Sequence, residues 1–175
     1  EQNIAWRKIS EMKKIPVTRP YFTQEEKDII AETLDSGWVA QGAKVVEFEQ
    51  KMAAHEGVAE GVASTSCTTA LHLAMVAQGL QSGMDAIAPA FTFVGTENAV
   101  VMTGATPVMV DICSETFNID TEKLAQTIGD NYQRKDGKLV NKESGNILWG
   151  IVPVHEFGLC CDIKSVNEIA AEYHL

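Results

Sequence analysis

The residues most able to do chemistry cluster in one short segment, Ser64 to Thr69, which reads Ser-Thr-Ser-Cys-Thr-Thr. Small hydroxyl side chains let a ligand come close to the backbone. If a helix starts here, its first N–H groups have no carbonyl partner, and the positive end of its dipole, about half an elementary charge, faces outward. That combination holds a phosphate. The same residues would also serve as an ordinary helix cap with no ligand. A second segment, Pro89 to Ala99, offers Phe91 and Phe93, either of which could stack on a flat heteroaromatic ring or pack into the core. Two familiar phosphate schemes are missing. The chain has no G-x-x-x-x-G-K-[ST] run and no pair of glycines in G-x-G spacing, which argues against a Walker-type hydrolase and a dinucleotide fold.

The elements that must position these residues follow from apolar periodicity. Thr23 opens a helix as a capping box with Glu26, and Gly37 ends it. A second amphipathic helix carries Val45, Val46, Phe48 and Met52 and stops before Gly57. Strands and helices then alternate. Ala59–Ala63, Ala86–Ala88, Pro107–Val110 and the apolar run Ile147–Val154 read as strands, the last buried on both faces. Thr68–Gly79, Thr92–Met102, a helix capped by Asp120 and one capped by Asp162 read as helices. Such alternation predicts an α/β fold, three layers with a mostly parallel sheet between helices. The Ser64–Thr69 loop then falls at the carboxyl end of a strand, where open α/β sheets bind ligands. The polar stretch Asp130 to Asn146 reads as a surface excursion.

Composition narrows the function classes. With 45% hydrophobic and 22% charged residues the chain is an ordinary globular sequence. A formal charge of -10 opposes binding to nucleic acid or an anionic membrane. No run approaches the roughly 18 apolar residues of a membrane helix, and residues 1–14 lack a signal-peptide core. Cys67, Cys113, Cys160 and Cys161 form no C-x-x-C pair and read as reduced thiols, as in the cytoplasm. His155 with Cys160, Cys161 and Asp162 fits no standard zinc spacing, so no metal site is expected. His155 nevertheless stands at a strand's carboxyl end, His72 reads as a packed helix residue, and His55 and His174 read as solvent-facing.

Six segments in order give the sequence a family likeness: IPVTRPYFTQEE, SGWVAQGAKVVEFE, STSCTTALHLAM, APAFTFVGTENAVVMTGATPVMVDI, NIDTEKL and IVPVHEFG. Together they resemble the DegT/DnrJ/StrS sugar aminotransferases, a branch of the fold-type I pyridoxal-phosphate (PLP) enzymes, over nearly the whole chain from Ile15. The resemblance implies the large domain of the aspartate aminotransferase-like fold, truncated, with residues 1–22 as an N-terminal arm and 23–175 as the front of the PLP-binding domain. It implies PLP as cofactor, its phosphate on Ser66, Cys67 and Thr68 and its ring against Phe93. Where many members carry glycine this chain has Cys67. Gly37 and Trp38 resemble a segment near the sugar-nucleotide site. The implied reaction moves an amino group, glutamate being the expected donor, to a nucleotide-linked keto-deoxysugar for polysaccharide or secondary-metabolite synthesis. The implied assembly is a cytoplasmic homodimer. The family's Schiff-base Lys and the acid that pairs with the pyridine nitrogen are expected beyond Leu175, so no catalytic residue is assigned within this chain. Two alternatives stay open: a sugar dehydratase of the same family, with His in place of that Lys, and a fragment without activity.

Overall fold

The computed structural model describes residue 16 and residues 18–175. Most of the arm expected over residues 1–22 therefore lies outside the described residues. The chain divides into two compact units after Gly61.

The first unit holds two helices, α1 (Gln24–Asp35) and α2 (Ala43–Glu56). The capping box expected at Thr23 forms, with the Glu26 carboxylate accepting from the Thr23 N–H at 2.5 Å and from its hydroxyl. These bonds to Thr23 hold the Glu26 carboxyl below its ordinary range. Gly57 closes α2 in the left-handed conformation, φ +68°, which glycine adopts without a Cβ penalty.

The second unit is a three-layer sandwich. Its helices are α3 (Cys67–Ala77), α4 (Gly95–Met102), α5 (Thr121–Asn131) and α6 (Ile163–Tyr173), and its strands are β1 (Met84–Pro89), β2 (Thr106–Val110), β3 (Tyr132–Lys135), β4 (Lys138–Asn141) and β5 (Ile147–Ile151). The strand order is β2-β1-β5-β4-β3. β1 pairs in parallel with both β2 and β5, whereas β4 pairs antiparallel with β5 and β3. The sheet is thus mixed, with a parallel core and β4 alone running the other way.

Alternation along β1 divides the core. Ala86 points to one face with Met75, Leu80, Ala99 and Val100 from α3 and α4 and their flanks. Ile87 points to the other with Val110, Leu124, Ile128, Leu148 and Val166, against α5 and α6. The expected caps at Asp120 and Asp162 form: Asp120 accepts from the N–H groups of Glu122 and Lys123, Asp162 from that of Ser165.

Four sequence expectations need revision. Ala59–Ala63 belongs to no sheet. Gly61 interrupts it and Val62, its one residue of high strand propensity, is 74% exposed. Helix α4 starts at Gly95, not Thr92, which leaves Phe93 in the turn before it. In β5 burial alternates, with Leu148 and Gly150 buried and their neighbours half-buried, so the strand is not covered equally on both faces. The polar stretch 130–146 folds into the β3–β4 hairpin around Asp136 and Gly137, both at positive φ, and buries Tyr132 and Leu139. Among the described residues no helix is long and apolar enough to cross a membrane.

Candidate functional site

The hydroxyl-rich segment opens α3. Ser66 is its N-cap, in extended conformation, and its hydroxyl accepts from the Thr69 N–H at 3.2 Å. The Thr69 hydroxyl returns to the Ser66 N–H at 3.0 Å. The Thr65 and Thr69 hydroxyls lie 3.2 Å apart, and the Ser64 hydroxyl donates to the Ser66 carbonyl at 2.9 Å. Ser66 thereby claims the N–H of Thr69 through its hydroxyl and that of Ala70 through its carbonyl. The N–H groups of Cys67 and Thr68 come earlier in the turn, where no helical carbonyl can reach them. They remain for a ligand.

Gly95 places this turn against the end of β1. A Cβ at Gly95 would fall 2.7 Å from the Thr68 Oγ1 and 2.9 Å from the Phe93 ring. The missing side chain is what lets the start of α4, the Thr68 hydroxyl and the Phe93 ring share one corner. Phe93 is 77% exposed there, a large apolar area left to water. Phe91, two residues earlier, has a different fate. Its ring meets those of Phe117 at 5.7 Å and Phe157 at 6.2 Å, in a cluster drawn from the loops that follow β1, β2 and β5.

The structure therefore brings Ser66, Cys67, Thr68 and Phe93 together at the carboxyl end of β1. Gly95 belongs with them and escaped sequence reasoning. Its signal was a glycine two residues after an aromatic, at the start of a helix. Gly37 and Trp38 stand in the other unit. Gly37 turns at φ +72°, and the Trp38 Nε1 donates to the Gln41 carbonyl at 3.0 Å. A Cβ at Gly42 would fall on the Trp38 ring, and the ring lines a cleft of about 570 Å3 with Glu32, Ser36 and Lys44. His155 braces a loop, its Nδ1 accepting from the Cys161 N–H at 3.1 Å. His72 is half-buried in α3, and His55 and His174 are exposed. Among the described residues no cluster of His, Cys, Asp or Glu is built to hold a metal. All four cysteines are free thiols.

A three-layer α/β unit whose helix N-terminus and exposed aromatic ring meet at the carboxyl end of a central parallel strand has the shape and the free donors to take a phosphorylated, planar ligand. Comparison with known proteins makes this class specific. The sequence profile of the DegT/DnrJ/EryC1/StrS aminotransferase family matches residues 20–175, and the chain belongs to that family. It is 34% identical over 168 residues to the GDP-perosamine synthase of Caulobacter vibrioides, covering 95% of this chain and 41% of that protein. It is 36% identical over 161 residues to the spore coat polysaccharide biosynthesis protein SpsC of Bacillus subtilis, covering 92% of this chain and 37% of SpsC. The crystal structure of NtdA from Bacillus subtilis, with its cofactor PMP bound, superposes with a TM-score of 0.70 at 29% identity, over 94% of this chain and 36% of that one. The chain spans about two-fifths of the length of these relatives.

Proposed function

We propose that the protein containing this chain is a PLP-dependent aminotransferase acting on a nucleotide-linked keto-deoxysugar, with glutamate as amino donor. The observation that carries the reading is the Gly95 corner, where a free helix N-terminus and the Phe93 ring stand side by side in a chain of this family. The corner fits the cofactor. In this reading the N–H groups of Cys67 and Thr68 and the Thr68 hydroxyl hold the phosphate, with the Ser66 cap fixing the first turn of α3. Phe93 offers its face to the pyridine ring and shields it from water. When bound, PLP supplies an electron sink at the carbon that exchanges the amino group. The residues of this chain anchor and orient; none of them is assigned a proton transfer.

Names of the relatives support the substrate class, since one makes a GDP-linked sugar and another serves coat polysaccharide synthesis. Gly37 and Trp38 are proposed to contact the sugar nucleotide, and the working form is proposed to be a cytoplasmic homodimer. The test uses the full-length protein, titrated with PLP and then with glutamate while visible absorbance is followed. A cofactor band that glutamate converts to the amino form supports the reading. A band that glutamate leaves unchanged removes glutamate as donor, and the absence of any band removes the PLP site.

A further inference from the structure

Three of the four cysteines line one cleft. It measures about 470 Å3 and lies between the loop after β2 and the turn that leads into α6. Cys113, Cys160 and Cys161 line it together with Thr116, Asn118 and Asp162. None of these residues belongs to the Thr68–Phe93 corner. The two walls are pinned to each other by Asn118, a buried side chain. Its Nδ2 donates to the Leu159 carbonyl at 3.1 Å, and its Oδ1 accepts from the Glu156 N–H at 2.9 Å. Within the first wall, the Cys113 N–H donates to the Asn118 carbonyl at 2.9 Å, and the Phe117 N–H to the Cys113 carbonyl at 2.8 Å. Cys113 is therefore held on a tight loop facing the segment that carries Cys160.

The three thiols differ in environment. Cys113 is half-buried on the loop that carries Glu115 and Thr116. Hydrogen bonding from the Glu115 and Thr116 backbone and the Thr116 hydroxyl favours the thiolate and holds the group below its ordinary range, against opposing pushes from burial and the Glu115 carboxylate. Cys161 is buried, and burial pushes its thiol up. Cys160 is exposed beside it. A thiolate-prone, accessible cysteine facing a second accessible thiol is the arrangement of a redox-responsive pair.

We propose that Cys113 is a peroxide-sensitive thiol and that Cys160 resolves its oxidised form as a disulfide. The oxidant is a hydroperoxide from outside the protein. The Cys113 thiolate attacks a peroxide oxygen, an S–O bond forms, the O–O bond breaks, and the departing oxygen takes up a proton. The Cys160 sulfur then attacks Cys113. An S–S bond forms, the S–O bond breaks, and the hydroxide leaves as water with the proton that Cys160 gives up. Sulfur loses two electrons in all, and the peroxide gains them. Cys161 is the poorer resolving group because it is buried and its own backbone is tied to His155. The bridge would fasten the loops that follow β2 and β5.

The experiment is a hydrogen peroxide titration of the full-length protein, followed by alkylation and peptide mass mapping. The expected product is a cross-linked pair of peptides containing Cys113 and Cys160, lighter by two hydrogens and reversed by dithiothreitol. Before oxidation, Cys113 should react with iodoacetamide roughly tenfold faster than Cys160 at neutral pH. Cys160→Ser should leave a dimedone-reactive Cys113, and Cys113→Ser should remove both products. Both side chains reach solvent, so serine is expected to leave the melting temperature unchanged. Over-oxidation of wild-type Cys113 without a cross-link, a bridge through Cys161, or first reaction at Cys67 would each overturn the proposal.

Discussion

Strand β1 carries a polar cluster at each end, and the two are built on opposite plans. At its start stands Asp85, 1% exposed. Its carboxylate accepts from the Tyr132 hydroxyl at 2.8 Å, the Asn141 amide at 2.9 Å and the Asn146 amide at 2.8 Å. Every donor comes from the β3–β4 hairpin or its flank, and no buried side-chain polar atom among the described residues lacks a partner. Beyond its end stands the Thr68–Phe93 corner, exposed, with two backbone donors left over and an aromatic face in water. A cluster that satisfies itself can hold the fold but has nothing to offer a ligand. A cluster with spare donors is maintained at some cost to stability, which a ligand offsets on binding. The same strand thus fastens the hairpin at one end and presents the proposed cofactor corner at the other.

Removing the Asp85 carboxylate should have the largest effect. Asp85→Ala leaves a phenol hydroxyl and two amides facing a cavity, at a cost of roughly 3–5 kcal/mol. Urea unfolding of the full-length protein should show that loss, while the PLP dissociation constant of the fraction still folded stays near that of the wild type. If PLP affinity fell in step with stability, the two ends would be one system and the comparison would break. Thr68→Val should do the reverse. It deletes the hydroxyl proposed to hold the phosphate, worth about 1.5–3 kcal/mol, or roughly ten- to a hundredfold in PLP affinity. Its unfolding midpoint should not move, and an unchanged affinity would take the phosphate away from this turn.

How much of this was legible in the sequence divides along the same line. The local structure of the proposed binding end could be read because its signals are local. A run of hydroxyl residues at a helix start, an aromatic after a strand and the Asp and Thr caps each declare themselves within a few residues. The Asp85 cluster could not be read, because its carboxylate meets donors 47, 56 and 61 positions away in the chain. Nothing near Asp85 announces a buried carboxylate. The hairpin itself was legible in principle, since Asp136-Gly137 is a strong turn pair, but its polar strands hid the two residues that anchor it, Tyr132 and Leu139. The segment Ala59–Ala63 was misread for the opposite reason. Its composition suggested a strand, and strand formation depends on neighbours that the local sequence does not specify.

The smallest expected effect tests whether the folded chain holds the Tyr132 phenol neutral. Burial, and then the bond to Asp85, push the Tyr132 phenol well above its ordinary value. The group ionises in the unfolded chain at its ordinary value of 10.0, while the folded chain keeps its proton. The stability this supplies is complete below about pH 10 and falls as pH rises beyond it, because the unfolded state then binds fewer protons than the folded one. Tyr132→Phe removes the ionisable group and one hydrogen bond. It should lower stability by about 1 kcal/mol at pH 7. It should also flatten the decline of the melting temperature between pH 9.5 and 11, read by circular dichroism on the full-length protein (roughly the window set by the tyrosine's ordinary pKa). Equal slopes for the variant and the wild type would mean that neither burial nor the bond to Asp85 holds the phenol neutral in the folded chain. The amino end of β1 would then be open to water at Tyr132, and its contrast with the exposed corner would fail.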